Sequence, residues 1–308
     1  PEAVVEPLTT EEAAAVMKLC NEHKIPVTPS GARTGLVGGA VSIHGGIILS
    51  ITKMNKILGY DKENFVVTIQ PGVLLNDLAE DAEKQGLLYP PDPGEKFATV
   101  GGNVATNAGG MRAVKYGTTR DYVRAMTVVL PTGEIVKLGA TVSKTSSGYS
   151  LLNLMIGSEG TLGVITELTL KLIPQPKAVI SLIIPYETLE DCIATVPQFF
   201  MNHMHPQALE FMEKDVVMDT EKFLGKKVYP KEMEGVEVGA YLLATFDGDS
   251  EEQLEDIIEA ASEVVLEAGA IDVLVADTPA LKRDAWAVRS ALLEAIEADT
   301  VLLDECDV

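Results

Sequence analysis

Ala98-Thr99-Val100-Gly101-Gly102-Asn103-Val104-Ala105-Thr106-Asn107-Ala108-Gly109-Gly110 runs for thirteen residues without a bulky side chain. A glycine pair stands near each end, and a backbone so bare lets a flat ligand lie directly against it. Thr99, Asn103, Thr106 and Asn107 add hydroxyl and amide groups suited to a polar ring edge. Packing alone would have to explain why so many small polar residues stand together.

Two more glycine-rich stretches lie on either side. Upstream, Pro29-Ser30-Gly31-Ala32-Arg33-Thr34-Gly35-Leu36-Val37-Gly38-Gly39 follows a short strand expected at Pro26–Thr28. Its successive small residues can turn backbone N–H groups into a nest for a pyrophosphate. The alternative is a plain loop that needs positive φ angles. It is neither a GxGxxG opening a helix nor a P-loop, because no GK[ST] closes it. Downstream, Gly157-Ser158-Glu159-Gly160-Thr161-Leu162-Gly163-Val164-Ile165-Thr166 passes from a loop into a β-branched strand, and alone it reads as an ordinary turn. One such stretch is a weak signal; three in one chain are informative.

Outward from these stretches the chain alternates between strands and helices. Thr9-Thr10-Glu11-Glu12 predicts a helix through about His23, with Ala13, Val16, Met17 and Leu19 as its apolar face. Strands are expected at Ile47–Ser50, Ile57–Asp61 and Phe65–Gln70, a helix at Leu74–Lys84, and then a long loop through Pro90-Pro91-Asp92-Pro93. Met126–Leu130 and Ile135–Leu138 flank Pro131-Thr132-Gly133-Glu134 and read as a hairpin. Ile173-Pro174-Gln175-Pro176 reads as a boundary, since two prolines so close suit neither a helix nor a central strand. Beyond it, strands are expected at Ala178–Ile184, Ala208–Glu213, Val238–Phe246 and Ile271–Val275. Helices are expected at Leu189–Asn202, Ser250–Ala268 and Pro279–Ala298. That pattern suggests an antiparallel sheet with helices on one face.

Composition narrows the class. The chain has 308 residues, 46% of them hydrophobic, enough for two ordinary domains. No apolar run approaches the roughly 20 residues of a membrane span, so no integral membrane segment is expected. The formal net charge of −22 repels phosphate backbones and argues against nucleic acid, although backbone N–H groups can bind a phosphate regardless. Cys20, Cys192 and Cys306 are scattered, which argues against a disulfide framework or a cysteine metal site and suits a cytoplasmic location. His203-Met204-His205 could project two imidazoles from one strand face, but no third metal ligand is evident nearby. The opening at Pro1, already inside a globular pattern, suggests that an N-terminal piece is absent.

Pro29–Gly39, Tyr89-Pro90-Pro91-Asp92-Pro93, Thr99–Gly110, Val114-Lys115-Tyr116-Gly117 and Gly157–Thr166 together resemble, in order and spacing, the PCMH-type FAD-binding domain of the vanillyl-alcohol-oxidase superfamily. The resemblance is closest to its branch of D-lactate dehydrogenases, glycolate oxidase flavoprotein subunits and D-2-hydroxyglutarate dehydrogenases, and it covers nearly the whole chain. It implies an α+β protein: a two-subdomain PCMH-type FAD-binding domain over residues 1–175, then an α+β cap domain with an antiparallel sheet over residues 176–308, incomplete at its C-terminus. It also implies how FAD is held. Pro29, Ser30, Gly31, Ala32, Arg33, Thr34 and Gly35 would wrap the pyrophosphate. Thr99, Gly101, Gly102, Asn103, Ala105, Thr106, Asn107, Gly109 and Gly110 would run past the ribityl chain and the isoalloxazine. Gly160, Gly163, Val164 and Ile165 would contact the adenosine and ribityl side. Pro93, Tyr116, Gly117 and Glu159 complete the implied cofactor set. Some superfamily members attach FAD through a His in the first loop. Ala32-Arg33-Thr34-Gly35 offers no His or Cys, so the FAD is expected to be non-covalent.

Asp284-Ala285-Trp286-Ala287-Val288-Arg289 is similar to the family's Trp-x-x-Arg, which implies that Arg289 pairs with a substrate carboxylate. A surface arginine in mid-helix is the alternative. The branch carries a His-rich motif and acidic residues further on, as divalent-metal ligands or general base. The chain ends at Val308 before any such motif, so a metal is expected only with residues beyond it. The implied activity is FAD-dependent oxidation of a small 2-hydroxy acid of the D-lactate or glycolate type. Electrons would pass to electron-transfer flavoprotein, an iron–sulfur subunit, a quinone or a cytochrome. A homo-oligomer stays open. Two rivals are a flavin-carrying electron-transfer subunit with no substrate of its own and an oxidoreductase of a sugar or alcohol. A nicotinamide-dependent Rossmann enzyme is disfavoured for want of a strand–GxGxxG–helix unit.

Overall fold

The computed structural model describes residues 1–299. The described residues divide into two compact units: Pro1–Gly110 with Tyr116–Gln175, and Met111–Lys115 with residues 176–299.

The first unit holds two main sheets. β1 (Ala3–Val5), β2 (Val27–Ser30) and β3 (Ile47–Ser50) form a parallel sheet in the order β1-β3-β2, with α1 (Thr10–His23) between the first two strands. The start of α1 follows the predicted capping: Thr9 Oγ1 accepts from Glu12 N at 3.1 Å, and Glu12 Oε2 accepts from Leu8 N at 2.7 Å. The second sheet is antiparallel and five-stranded, in the order β4-β5-β9-β7-β8. Its strands are β4 (Ile57–Asp61), β5 (Val66–Ile69), β7 (Val123–Val129), β8 (Ile135–Gly139) and β9 (Val164–Lys171). The β7–β8 hairpin closes as expected, with Gly133 at φ +85° and Leu130 N donating to Glu134 O at 2.8 Å.

α2 (Leu75–Lys84), the short β6 (Leu87–Leu88) and α3 (Val100–Thr106) cover this sheet, and β10 (Ile173–Pro174) pairs with β6. Their apolar faces share one core with the strands, built on Ile69, Leu78, Val100, Val104, Val128, Leu168 and Leu170. The single turn α4 (Ala113–Tyr116), a 3-10 turn at Thr119–Tyr122 and α5 (Leu151–Met155) fill the long connections. β1, α3 and α5 were not anticipated. Three residues or one to two turns are too short for periodicity to register.

The second unit is built on an antiparallel sheet in the order β12-β15-β11-β16, from β11 (Ala178–Tyr186), β12 (Ala208–Glu213), β15 (Ala240–Gly248) and β16 (Leu274–Ala276). β13 (Glu232–Met233) and β14 (Val236–Glu237) make a small separate hairpin. Helices cover both faces rather than the single face expected from sequence. α6 (Leu189–Met201) and α8 (Glu251–Glu267) pack with Leu182, Ile184, Leu242, Ala244 and Phe246. α7 (Lys214–Leu224) and α9 (Pro279–Ser290) pack with Ile183, Tyr241 and Leu243 on the other side. Ala240–Ala244 of β15 accordingly reads as an unbroken apolar run, the pattern of a strand buried on both faces.

The single helix expected over Pro279–Ala298 is also two. α9 ends at Ser290, Ala291 leaves helical geometry at φ −99° and ψ 10°, and α10 (Leu292–Asp299) starts anew. No glycine or proline marks this break; the turn lets Leu292 pack against the α7–α9 core. Cys20 and Cys192 are buried and free, as hydrophobes of the two cores, while Cys306 lies outside the described residues.

Candidate functional site

The first glycine-rich stretch leaves the parallel sheet at the end of β2. Ser30 is buried there, and its Oγ accepts from Arg33 Nε at 3.1 Å. That bond spans a tight turn in which Arg33 adopts φ +62°, a left-handed conformation uncommon for a non-glycine residue. Ala32 is half-buried, Arg33, Thr34 and Gly35 are exposed, and a Cβ at Gly35 would meet nothing within 4 Å.

The second stretch is not the continuous loop its composition suggests. Its first half is α3, started by Thr99, whose Oγ1 accepts from Gly102 N at 3.3 Å. It stops at Asn107 in the left-handed region, φ 52° and ψ 48°. The polar side chains are therefore largely committed to the protein itself. Thr106 Oγ1 donates to Gly102 O, and Asn107 Oδ1 accepts from Arg120 N at 2.9 Å and from Thr118 Oγ1. Asn103 differs: it is 5% exposed, and its Nδ2 has no partner among the described residues. A buried amide donor left unmade costs about 1–3 kcal/mol, so it marks a place where an outside acceptor would be favoured.

The three stretches meet in the first unit. A Cβ at Gly31 would stand 2.2 Å from Thr99 Oγ1, which joins the first to the second. Gly157 N donates to Val104 O at 3.0 Å and Glu159 N to Ala105 O at 2.9 Å, which joins the third to the second. A Cβ at Gly160 would lie 2.9 Å from Pro29 Cγ, and one at Gly39 would lie 3.0 Å from Glu159 Oε2, which joins the third to the first. Glu159 (φ +49°) and Gly160 (φ +77°) make the turn that permits this.

Neighbouring residues of the set serve as supports. Gly101 and Gly110 press against the backbones of Pro71 and Asp92-Pro93, and Gly109 is exposed. Gly163 packs on Val128 and Val129, and the side chains of Val164 and Ile165 are buried in the cores. These three have only backbone or a narrow edge to offer a ligand. Tyr116 is half-buried against the first core, and Gly117 turns at φ +80° beside Asp121. Arg120 was missed by sequence reading. Its Nη1 and Nη2 donate to Asn153 O at 2.8 Å and Ile156 O at 3.0 Å, holding the third stretch in place. Its partners are backbone carbonyls more than thirty residues away, which no local pattern announces.

Arg289 lies in the second unit. Because α9 ends at Ser290, it sits in the last turn of that helix, where a cation is favoured by the helix dipole, and not in mid-helix. Its Nε donates to Glu210 Oε2 at 2.7 Å, and Nη2 lies 2.7 Å from the same oxygen. Trp286, one turn earlier, donates its indole N–H to Ser181 Oγ at 3.2 Å. Glu210 was not singled out from sequence, since it lies 79 residues away on β12. No three His, Cys, Asp or Glu side chains gather as a metal site among the described residues.

The fold is that of the two-domain, PCMH-type flavoproteins. The chain belongs to the FAD-linked oxidases: a family of FAD binding domains matches residues 1–139, and the C-terminal domain of FAD linked oxidases matches residues 175–308. FAD is therefore the cofactor, and the first unit fits it on two counts: an unpartnered buried amide at Asn103 and open backbone at Gly35 and Gly109.

The chain is 89% identical over its full length to a D-lactate dehydrogenase from Anaerostipes hadrus and spans 65% of that protein. It is 43% identical to a D-lactate dehydrogenase from Archaeoglobus fulgidus, over 98% of the chain and 66% of the relative. It is 36% identical to glycolate oxidase subunit GlcD from Bacillus subtilis, over the whole chain and 65% of the relative. The chain thus spans just under two thirds of the length of these relatives. Among solved structures, an alkyldihydroxyacetonephosphate synthase shares the fold at a TM-score of 0.77 and 23% identity, over 96% of this chain and 55% of that one. A p-cresol methylhydroxylase shares it at a TM-score of 0.70 and 20% identity, over 94% and 60%.

Proposed function

We propose that this chain is the FAD-bearing part of a dehydrogenase that oxidises a small 2-hydroxy acid, of the D-lactate or glycolate type, to the 2-oxo acid. The observation that carries the reading is the meeting of three glycine-rich stretches, the second of which also holds the unpartnered buried amide of Asn103. The names of the relatives supply the substrate class. FAD, when bound, supplies the two-electron oxidation.

The chain's own residues bind and orient. Ser30 to Gly35 present backbone N–H groups to the pyrophosphate. Asn103 donates its free amide hydrogen to an acceptor on the cofactor. Gly109, where a Cβ would meet nothing nearer than 3.9 Å, leaves backbone open to its flat face. With no His or Cys among residues 32–35, the FAD is held without a covalent bond. Arg289 binds the substrate carboxylate through its planar guanidinium, and a fixed carboxylate aligns the carbon to be oxidised. Electrons leave to a protein or quinone acceptor, and an acidic chain of net charge −22 favours a partner with a basic docking patch.

The test is the anaerobic visible spectrum of the purified protein with D-lactate, L-lactate, glycolate or D-2-hydroxyglutarate added in turn. Bleaching of the flavin band by one of them supports the reading and names the substrate. A flavin band that none of them bleaches favours a carrier subunit without its own substrate. Failure to take up FAD would overturn the proposal.

A further inference from the structure

We infer that Glu210 is a positioning residue for carboxylate recognition, holding Arg289 so that one edge of its guanidinium stays open to the anion; this rests on the assignment of Arg289 to the substrate carboxylate. A guanidinium offers two edges to an oxyanion, the Nε–Nη2 edge and the Nη1–Nη2 edge. Glu210 occupies only the first, and with a single oxygen: Oε2 lies 2.7 Å from both Nε and Nη2. Nη1 has no hydrogen-bond partner among the described residues, so the second edge remains available for bidentate pairing.

Both partners stand on rigid elements. Glu210 sits in β12 opposite Leu243 of β15, on the face where Leu243, Ala285 and Val288 pack together. Arg289 follows Val288 directly on α9. Their side chains are 17% and 32% exposed, so the pair is partly shielded while the arginine stays reachable.

The arrangement has two opposed effects. A fixed guanidinium spares the substrate the ordering of a long side chain. The charge of Glu210 at the same time weakens the attraction of Arg289 for an anion. Because both hydrogen bonds end on one oxygen, a glutamine at 210 could keep them through its carbonyl while removing the charge. Positioning and charge are thus separable by substitution.

The probe is oxalate, a planar dicarboxylate, titrated into the FAD-loaded protein and followed through the flavin's visible spectrum, with thermal melts as a check on folding. Arg289→Lys is expected to weaken oxalate binding about tenfold or more by removing the fork. With Glu210→Ala it is expected to be about three- to tenfold weaker than with Glu210→Gln, the cost of ordering one side chain once the charge is gone in both. Glu210→Gln is expected to tighten it about two- to fivefold, the range of a partly exposed ion pair. No change with Arg289→Lys would overturn the carboxylate assignment and the inference with it. A weakened Arg289→Lys beside a Glu210→Gln that binds no tighter than the unaltered protein, or a Glu210→Ala that binds as tightly as Glu210→Gln or tighter, overturns the inference alone. If Glu210→Ala does not fold, the glutamine variant decides by itself.

Discussion

Gly31 lies so close to Thr99 that a Cβ at position 31 would stand 2.2 Å from the threonine hydroxyl oxygen. That oxygen is also the N-cap of α3, accepting from Gly102 N at 3.3 Å. One contact therefore couples the first glycine-rich stretch to the start of the helix in the second. Gly31→Ala should displace Thr99 and remove the cap, a loss of about 1 kcal/mol or more. Thr99→Ala should cost about the same alone, yet little further in the Gly31→Ala background, because the obstructing oxygen is then gone. Chemical denaturation of the FAD-free protein checks this; two costs that simply add would show that the contact is not made.

Asn103 should behave oppositely in the free and loaded protein. Asn103→Leu removes a buried donor that has no partner, so the FAD-free protein should be unchanged or about 1 kcal/mol more stable. FAD affinity should fall about tenfold or more, because the cofactor loses a hydrogen bond in a buried site. Thermal melts without FAD and quenching of flavin fluorescence on titration give the two values. Unaltered FAD affinity would mean that the amide does not face the cofactor.

Adjacent glycines of the second stretch should differ sharply. A Cβ at Gly110 would stand 2.0 Å from Asp92 O and 2.6 Å from Pro93 N, both backbone atoms that cannot swing aside. Gly110→Ala should cost about 2–4 kcal/mol, in the range of overpacking with backbone shift. Gly109→Ala meets nothing nearer than Thr118 Cγ2 at 3.9 Å and should stay within about 0.5 kcal/mol. Denaturation midpoints decide, and equal losses at both positions would contradict the packing described.

Stability should fail in alkali before the tyrosines ionise individually. Burial pushes the Tyr122 phenol up to about 12, and it pushes those of Tyr89, Tyr186, Tyr229 and Tyr241 higher still. The folded state thus prefers the neutral phenol. Its advantage is complete below the unfolded value near 10 and shrinks as pH rises, over the window from about 10 to 12 for Tyr122. Each such group removes about 1.4 kcal/mol per pH unit within its window. The larger part of the tyrosinate absorbance, from these five of the eight tyrosines, should therefore rise together with loss of circular dichroism, in one cooperative step. Ionisation of most of the eight phenols in a still-folded protein near pH 10 would show that these rings are reached by solvent.

The amphipathic helices and strands of the first unit were legible where patterns are local. Thr9 before Glu12 announced α1, and Gly133 within a four-residue turn announced the β7–β8 hairpin. The helix inside Ala98–Gly110 was hidden by its glycines, which lower helix propensity by about 1 kcal/mol each. It forms because Thr99 caps it and because Val100 and Val104 are buried in the core of the five-stranded sheet. In the second unit the continuous apolar run of β15 could have signalled a sheet covered on both faces. The break at Ala291 had no such sign, since it follows from how Leu292 packs.

By itself the sequence determined that this protein binds FAD and that three glycine-rich stretches are the ones proposed to line it. Bareness of side chains is a property of residue type, and three such stretches in one order and spacing mark a single family. Only the tertiary structure decided which polar groups remain for a ligand. Thr99 and Thr106 are spent on α3 and Asn107 on Arg120 and Thr118, while the Asn103 amide is left over. It likewise decided that Glu210 holds Arg289. Hydrogen bonds saturate, and whether a donor is still free depends on which distant acceptor the fold brings within 3 Å or so.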